Sequence, residues 1–236
     1  MNMNHGAYMD DEILKFLFNL KFEGKLPKGI GVMNPFLDHH ICAIAKSFYQ
    51  KFYHDHEKRF LILGINPGRL GAGATGIPFT DTKRLESACG IANPGFSTHE
   101  PSSVFMYTMI EAYGGPANFY RDFYISSVSP LGFILNEGGK QVNYNYYDSA
   151  ALTKSVKPFA VKCLHEQLQF NINRDVVFVL GTGKNAHFVE TLNAEFGFFK
   201  QVIALEHPRY IMQYKSKNLQ SYVAKYLETF AGYIVQ

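Results

Sequence analysis

Tryptophan is absent from this 236-residue chain, and cysteine occurs only three times. Cys42, Cys89 and Cys163 are far apart and form no CxxC pair. That argues against a disulfide framework, a zinc ribbon and a four-cysteine iron–sulfur cluster. No metal or cofactor is expected. Charged residues are scarce, at 18%, against the usual quarter or so. The formal net charge is only +3. Such an excess permits a polyanion partner but is too small to steer one to the whole surface.

Long apolar runs are lacking too. The strongest, Val176-Val177-Phe178-Val179-Leu180, is far short of a membrane span. Asp10 and Asp11 stand where a signal peptide would need a basic and then an apolar stretch. A cytoplasmic protein without membrane contact is the expectation. No repeat, linker or low-complexity tract interrupts the chain, so one domain over 1–236 is expected. Three enzyme signatures are missing. There is no G-x-S-x-G nucleophile elbow and no dinucleotide-type glycine spacing. Gly181-Thr182-Gly183-Lys184 ends like a P-loop, but the glycine required five residues before Gly183 is Phe178.

Apolar residues are plentiful, at 47%, with 21 Phe and 15 Tyr. They fall into short β-type runs separated by helical periodicity. Phe60–Ile65, Phe123–Ser127, Val176–Leu180 and Val202–Leu205 read as buried strands, each stopped by turn residues. Asp10–Phe22, Asp38–Phe52, Val156–Leu168 and Leu219–Phe230 carry helical spacing. Strands alternating with helices predict an α/β fold: three layers, α/β/α, around a mostly parallel four-stranded sheet. Ligands of such sheets bind beyond the carboxyl ends of the strands. Four strand exits therefore hold the candidate chemistry.

The first exit, Asn66-Pro67-Gly68, opens a loop with Gly68, Gly71, Gly73 and Gly76 that runs to Pro78-Phe79-Thr80-Asp81. So many glycines allow backbone N–H groups to approach an anion or a base edge; a plain flexible connection also fits. Asp81 reads as the N-cap of a helix starting at Thr82. The second exit is Ser127-Val128-Ser129-Pro130. At the third, Lys184 and N–H groups at a helix start could hold a phosphate, or Lys184 is an ordinary solvated lysine. The fourth is His207-Pro208-Arg209. His39-His40 and His54-Asp55-His56 match metal-ligand spacing only loosely and read as surface residues.

These exits resemble, in order, the motifs of the single-strand-selective monofunctional uracil-DNA glycosylases. Leu63-Gly64-Ile65-Asn66-Pro67-Gly68 with Thr75-Gly76-Ile77-Pro78-Phe79 resembles the first motif. Ser126-Ser127-Val128-Ser129-Pro130-Leu131 resembles the pyrimidine-recognition segment, where the family has asparagine at the position of Ser127. The Gly181–Lys184 loop resembles a G-x-G-[RK] loop. His207-Pro208-Arg209 is a shortened form of H-P-S-P-R.

The resemblance implies hydrolytic removal of uracil, and of deaminated purines such as xanthine or hypoxanthine, from DNA by a monomeric monofunctional glycosylase. Asn66 would position the water and His207 would donate to the base. Ile65, Gly68, Phe79 and Ser127 would hold the base. Gly183, Lys184, Pro208, Arg209 and Tyr210 would touch DNA around it. Two other readings stay open: a non-catalytic DNA-binding module of the same fold, and a small-molecule nucleoside or nucleotide hydrolase closed by Tyr144-Asn145-Tyr146-Tyr147.

Overall fold

The computed structural model describes residues 6–92 and 95–234. In chain order the elements begin with α1 (Met9–Phe18), β1 (Ile30–Met33), α2 (His39–Tyr53) and β2 (Arg59–Gly64). The glycine loop follows, holding the single turn α3 (Ala72–Thr75), and then α4 (Thr82–Ser87), α5 (Pro101–Ala112) and α6 (Pro116–Asp122). Next come β3 (Phe123–Ser127), β4 (Gly132–Glu137), β5 (Lys140–Tyr144) and α7 (Ala150–Gln167). The last part is β6 (Ile172–Leu180), α8 (Lys184–Phe196), β7 (Gln201–Leu205), α9 (Pro208–Tyr214) and α10 (Leu219–Ala231).

The four expected strands form one sheet, ordered β3-β2-β6-β7 and parallel throughout. Alternate residues of a strand face opposite sides, and β3 shows helices on both. The Phe123 ring lies 4.5 Å from Phe230 of α10, while Tyr124 meets Tyr53 of α2 at 5.9 Å. The fold is thus a three-layer α/β/α sandwich. The aromatic surplus is spent in this core: Phe48, Tyr53, Phe119, Tyr120, Phe123, Phe178 and Phe230 are all buried.

Arg59, at the start of β2, is fully buried. Asp55 holds it through two contacts of 2.7 and 2.8 Å, and the Tyr120 carbonyl accepts from its Nε at 2.7 Å. The Tyr53 ring covers it at 4.8 Å. Asp55 therefore ties α2 to the sheet. Its neighbour His54 reaches Asp10 of α1 at 3.1 Å, which gives that His-Asp-His stretch a structural reading.

Three sequence expectations need correction. Helix α1 stops at Phe18, not Phe22; Asn19 turns the chain by donating its side-chain amide to the Lys15 carbonyl. Strand β6 starts at Ile172, four residues before Val176, through the polar and partly exposed Asn173-Arg174-Asp175 that apolar periodicity misses. A second sheet, antiparallel β1-β4-β5, was not anticipated. Its hairpin turns at Gly138-Gly139, both with positive φ. Its outer strand is almost wholly exposed, so it lacks the apolar signature of a buried strand.

Candidate active site

The sheet order places the switch point between β2 and β6, the two strands whose connections leave in opposite directions. A cavity of about 330 Å³ opens there, beyond the strand ends. That is at the small end of ligand-pocket sizes and large enough for one base. Ile65, Asn66, Gly68, Phe79, Ser127, His207, Arg209 and Tyr210 all line it. These eight come from three strand exits and the glycine loop.

Asn66 follows β2 by two residues, and its amide is fixed at both ends. Oδ1 accepts from the Tyr146 N–H at 3.0 Å, while Nδ2 donates to the Tyr144 carbonyl at 3.3 Å. These partners settle which end is oxygen. The second lone pair of Oδ1 is the group this amide can offer to a ligand.

His207 is the N-cap of α9. Its Nδ1 accepts from the Arg209 backbone N–H at 3.1 Å. The proton of the neutral ring therefore sits on Nε2. Burial, reinforced by the Arg209 charge, pulls its pKa down to about 4. At neutral pH His207 is an uncharged donor.

Phe79 adopts φ 55°, a left-handed conformation costly for a bulky residue and often found at functional sites. Its ring lies 5.6 Å from that of His207. It also presses on Gly64, where an added Cβ would come within 3.1 Å of two ring atoms. A glycine at the end of β2 leaves room for the ring to approach the strand exit this closely. Ser127 ends β3, buried, in register with Gly64.

Two of the N–H groups in the glycine loop are already engaged. The N–H groups of Gly71 and Gly73 both turn inward to the Gly68 carbonyl, at 3.3 and 2.8 Å. They are spent on the loop's own fold and are not offered to an anion. Gly183, Lys184 and Pro208 do not line the cavity. Pro208 is buried in the first turn of α9, where a proline costs no hydrogen bond. Lys184 starts α8 with its Nζ 5.8 Å from the Tyr147 ring.

Asp81 caps α4 as expected, accepting from Arg84 N at 3.0 Å. It also accepts from Glu100 N at 2.9 Å and from Ser103 Oγ at 2.7 Å. One buried carboxylate thus pins the starts of α4 and α5 together.

Sequence reasoning missed Glu100 and Asn143, which also line the cavity. Asn143 belongs to the unforeseen hairpin. Glu100 precedes Pro101, which reads only as a helix start. The Tyr144–Tyr147 segment does reach the site, through Asn145 and Tyr147. Among the described residues no cluster of histidine, cysteine or acidic side chains suits a metal ion. No described helix is long and apolar enough to cross a membrane.

A family model for the uracil DNA glycosylase superfamily matches residues 50–231. A solved structure, wild-type SMUG2 of Pedobacter heparinus, superposes with a TM-score of 0.94. It shares 50% sequence identity, over 96% of this chain and 98% of that one. No curated protein matches.

Proposed function

Since the chain belongs to the uracil DNA glycosylase superfamily, and is thereby a hydrolase of N-glycosidic bonds in damaged DNA, we propose that it removes uracil and deaminated purines through Asn66 and His207. The observation that carries this reading is the meeting of Asn66, Phe79 and a neutral, Nε2-protonated His207 in one base-sized cavity.

The damaged nucleotide leaves the duplex stack at a cost of a few kcal/mol. Stacking on Phe79 offsets about 1–3 kcal/mol of that. Breaking the glycosidic bond puts negative charge on the base and positive character on the sugar. His207 Nε2–H donates to the base oxygen as charge develops; one preorganised donor lowers a barrier by about 3–4 kcal/mol. Asn66 is no strong base, so its role is to orient water with the free lone pair of Oδ1. A dissociative transition state makes orientation sufficient, because the sugar cation is a strong electrophile.

Ser127 faces the base with a hydroxyl, which lacks the fixed plane of an amide and so tolerates more than one base edge. Ile65 and Gly68 complete the base pocket. Arg209, Lys184 and Gly183 contact flanking phosphates, and Pro208 fixes the turn that presents Arg209. Tyr210, 43% exposed, enters the gap left by the flipped base. No lysine is among the described residues lining the cavity, which favours plain hydrolysis over Schiff-base chemistry. In this reading one domain over 1–236 works as a cytoplasmic monomer without a cofactor.

The test is incubation with strands carrying uracil, xanthine, hypoxanthine or thymine. Free damaged base and an uncut abasic strand are expected. DNA binding without base release from any strand would contradict the reading.

A further inference from the structure

Glu100 heads α5 and brings to the cavity a carboxyl that base release by Asn66 and His207 leaves unused. Its position is defined by two glycines. A Cβ on Gly71 would collide with Glu100 Oε2, and a Cβ on Gly68 would lie 3.5 Å from Oε1. The loop is therefore shaped around this side chain. Oε2 is buried and has no hydrogen-bond partner among the described residues. A buried, unpartnered carboxylate oxygen is costly, whereas a neutral carboxyl tolerates that setting far better.

The charges facing it come from two elements. The Asp81 carboxylate, before α4, disfavours ionisation, and Arg209, on α9, favours it. Asp81 is itself engaged by Arg84 and His99. Arg69, on the glycine loop, turns away to the Gln141 carbonyl. Burial, reinforced by the Asp81 charge, outweighs Arg209 and pushes the Glu100 pKa up to about 7. An acid with a pKa near the working pH is well matched to proton transfer.

Ser127 and Glu100 reach the cavity from different elements. Ser127 closes the cavity from β3, one edge of the sheet. Glu100 enters it from the start of α5, which packs on α9, the helix that follows β7 at the sheet's other edge. A base whose imide edge lies against Ser127 turns its opposite edge to Glu100. In a pyrimidine that edge is C5–C6, with only C–H groups. In a purine it carries N7, a hydrogen-bond acceptor conjugated to N9.

Resting on the glycosylase reading, we propose that Glu100 is the catalytic proton donor to N7 of a flipped deaminated purine, with no equivalent role toward uracil. The N9–C1′ bond breaks and its electron pair passes to the purine. The carboxyl proton moves to N7, so the base leaves neutral. Water oxygen bonds to C1′, and the proton it loses returns through solvent to the Glu100 carboxylate.

The test compares wild type with Glu100→Gln, which keeps the side-chain shape but has no acid proton. Single-turnover release of xanthine, hypoxanthine and uracil from identical strands is followed across about pH 5 to 9. Comparing both proteins on each strand cancels the base's own ionisation. In wild type the purine-to-uracil ratio should fall as pH rises through about 7. Glu100→Gln should lower that ratio about a hundredfold at neutral pH and remove this wild-type pH dependence. Uracil release by the variant shows that it is folded. Equal ratios in the two proteins, or uracil release with no purine release by wild type, would overturn the role of Glu100 alone. No release of any base would overturn it together with the glycosylase reading.

Discussion

Tyr146 donates its backbone N–H to Asn66 Oδ1 at 3.0 Å across a sequence separation of eighty residues. The bond fastens the end of the β4–β5 hairpin onto the exit of β2. Asn66→Ala leaves the Tyr146 N–H and the Tyr144 carbonyl without this partner. A loss of about 1–3 kcal/mol of stability is expected. Denaturant unfolding measures it, and an unchanged midpoint would show that the amide does not hold the hairpin.

His207 gives the pH prediction. Its folded pKa, about 4, lies below the ordinary 6.5, so the folded state resists the proton. Its contribution to stability is whole above about pH 6.5 and is lost as pH falls toward 4. Wild type should lose more in melting temperature over that window than His207→Gln, which has no titrating ring. Parallel profiles would mean the ring titrates normally.

Ser127 sets base choice in this account. Ser127→Asn restores an amide with an acceptor and two donors in one plane. One added hydrogen bond to the imide edge is worth about 0.5–1.5 kcal/mol. Preference for uracil over xanthine should rise about two- to tenfold, read as the ratio of single-turnover rates. An unchanged ratio would place base recognition elsewhere in the cavity.

Lys184 and Arg209 are the cationic phosphate contacts in the proposal. Removing one such contact should reduce the salt-dependence slope of DNA binding by about one unit. For Lys184→Ala, titration of binding against salt checks this. An unchanged slope would leave Lys184 as the partner of Tyr147 only.

The central sheet was legible because β2, β3 and the last five residues of β6 are largely buried and read as continuous apolar runs, and the edge strand β7 keeps the short apolar run Val202–Leu205. Its exits bring Asn66, Ser127 and His207 to one cavity, since position after a strand end is a local property. What escaped is non-local. The exposed strand β5 carries no periodic signal, so Asn143 could not be placed. Glu100 meets Gly71 only through the fold, although both residues stand in plain view in the sequence. The glycines of the loop suggested open N–H groups, yet Gly71 and Gly73 bond to Gly68 within the same turn. Composition shows that a loop can bend, not where its donors point.

The most direct measurement is single-turnover release of uracil from a labelled strand by wild type, Asn66→Ala and His207→Ala, with strand affinity measured in parallel. The account predicts free uracil from wild type, and rates lower by about a hundredfold or more for each variant at nearly unchanged affinity. Near wild-type rates from both variants would contradict it.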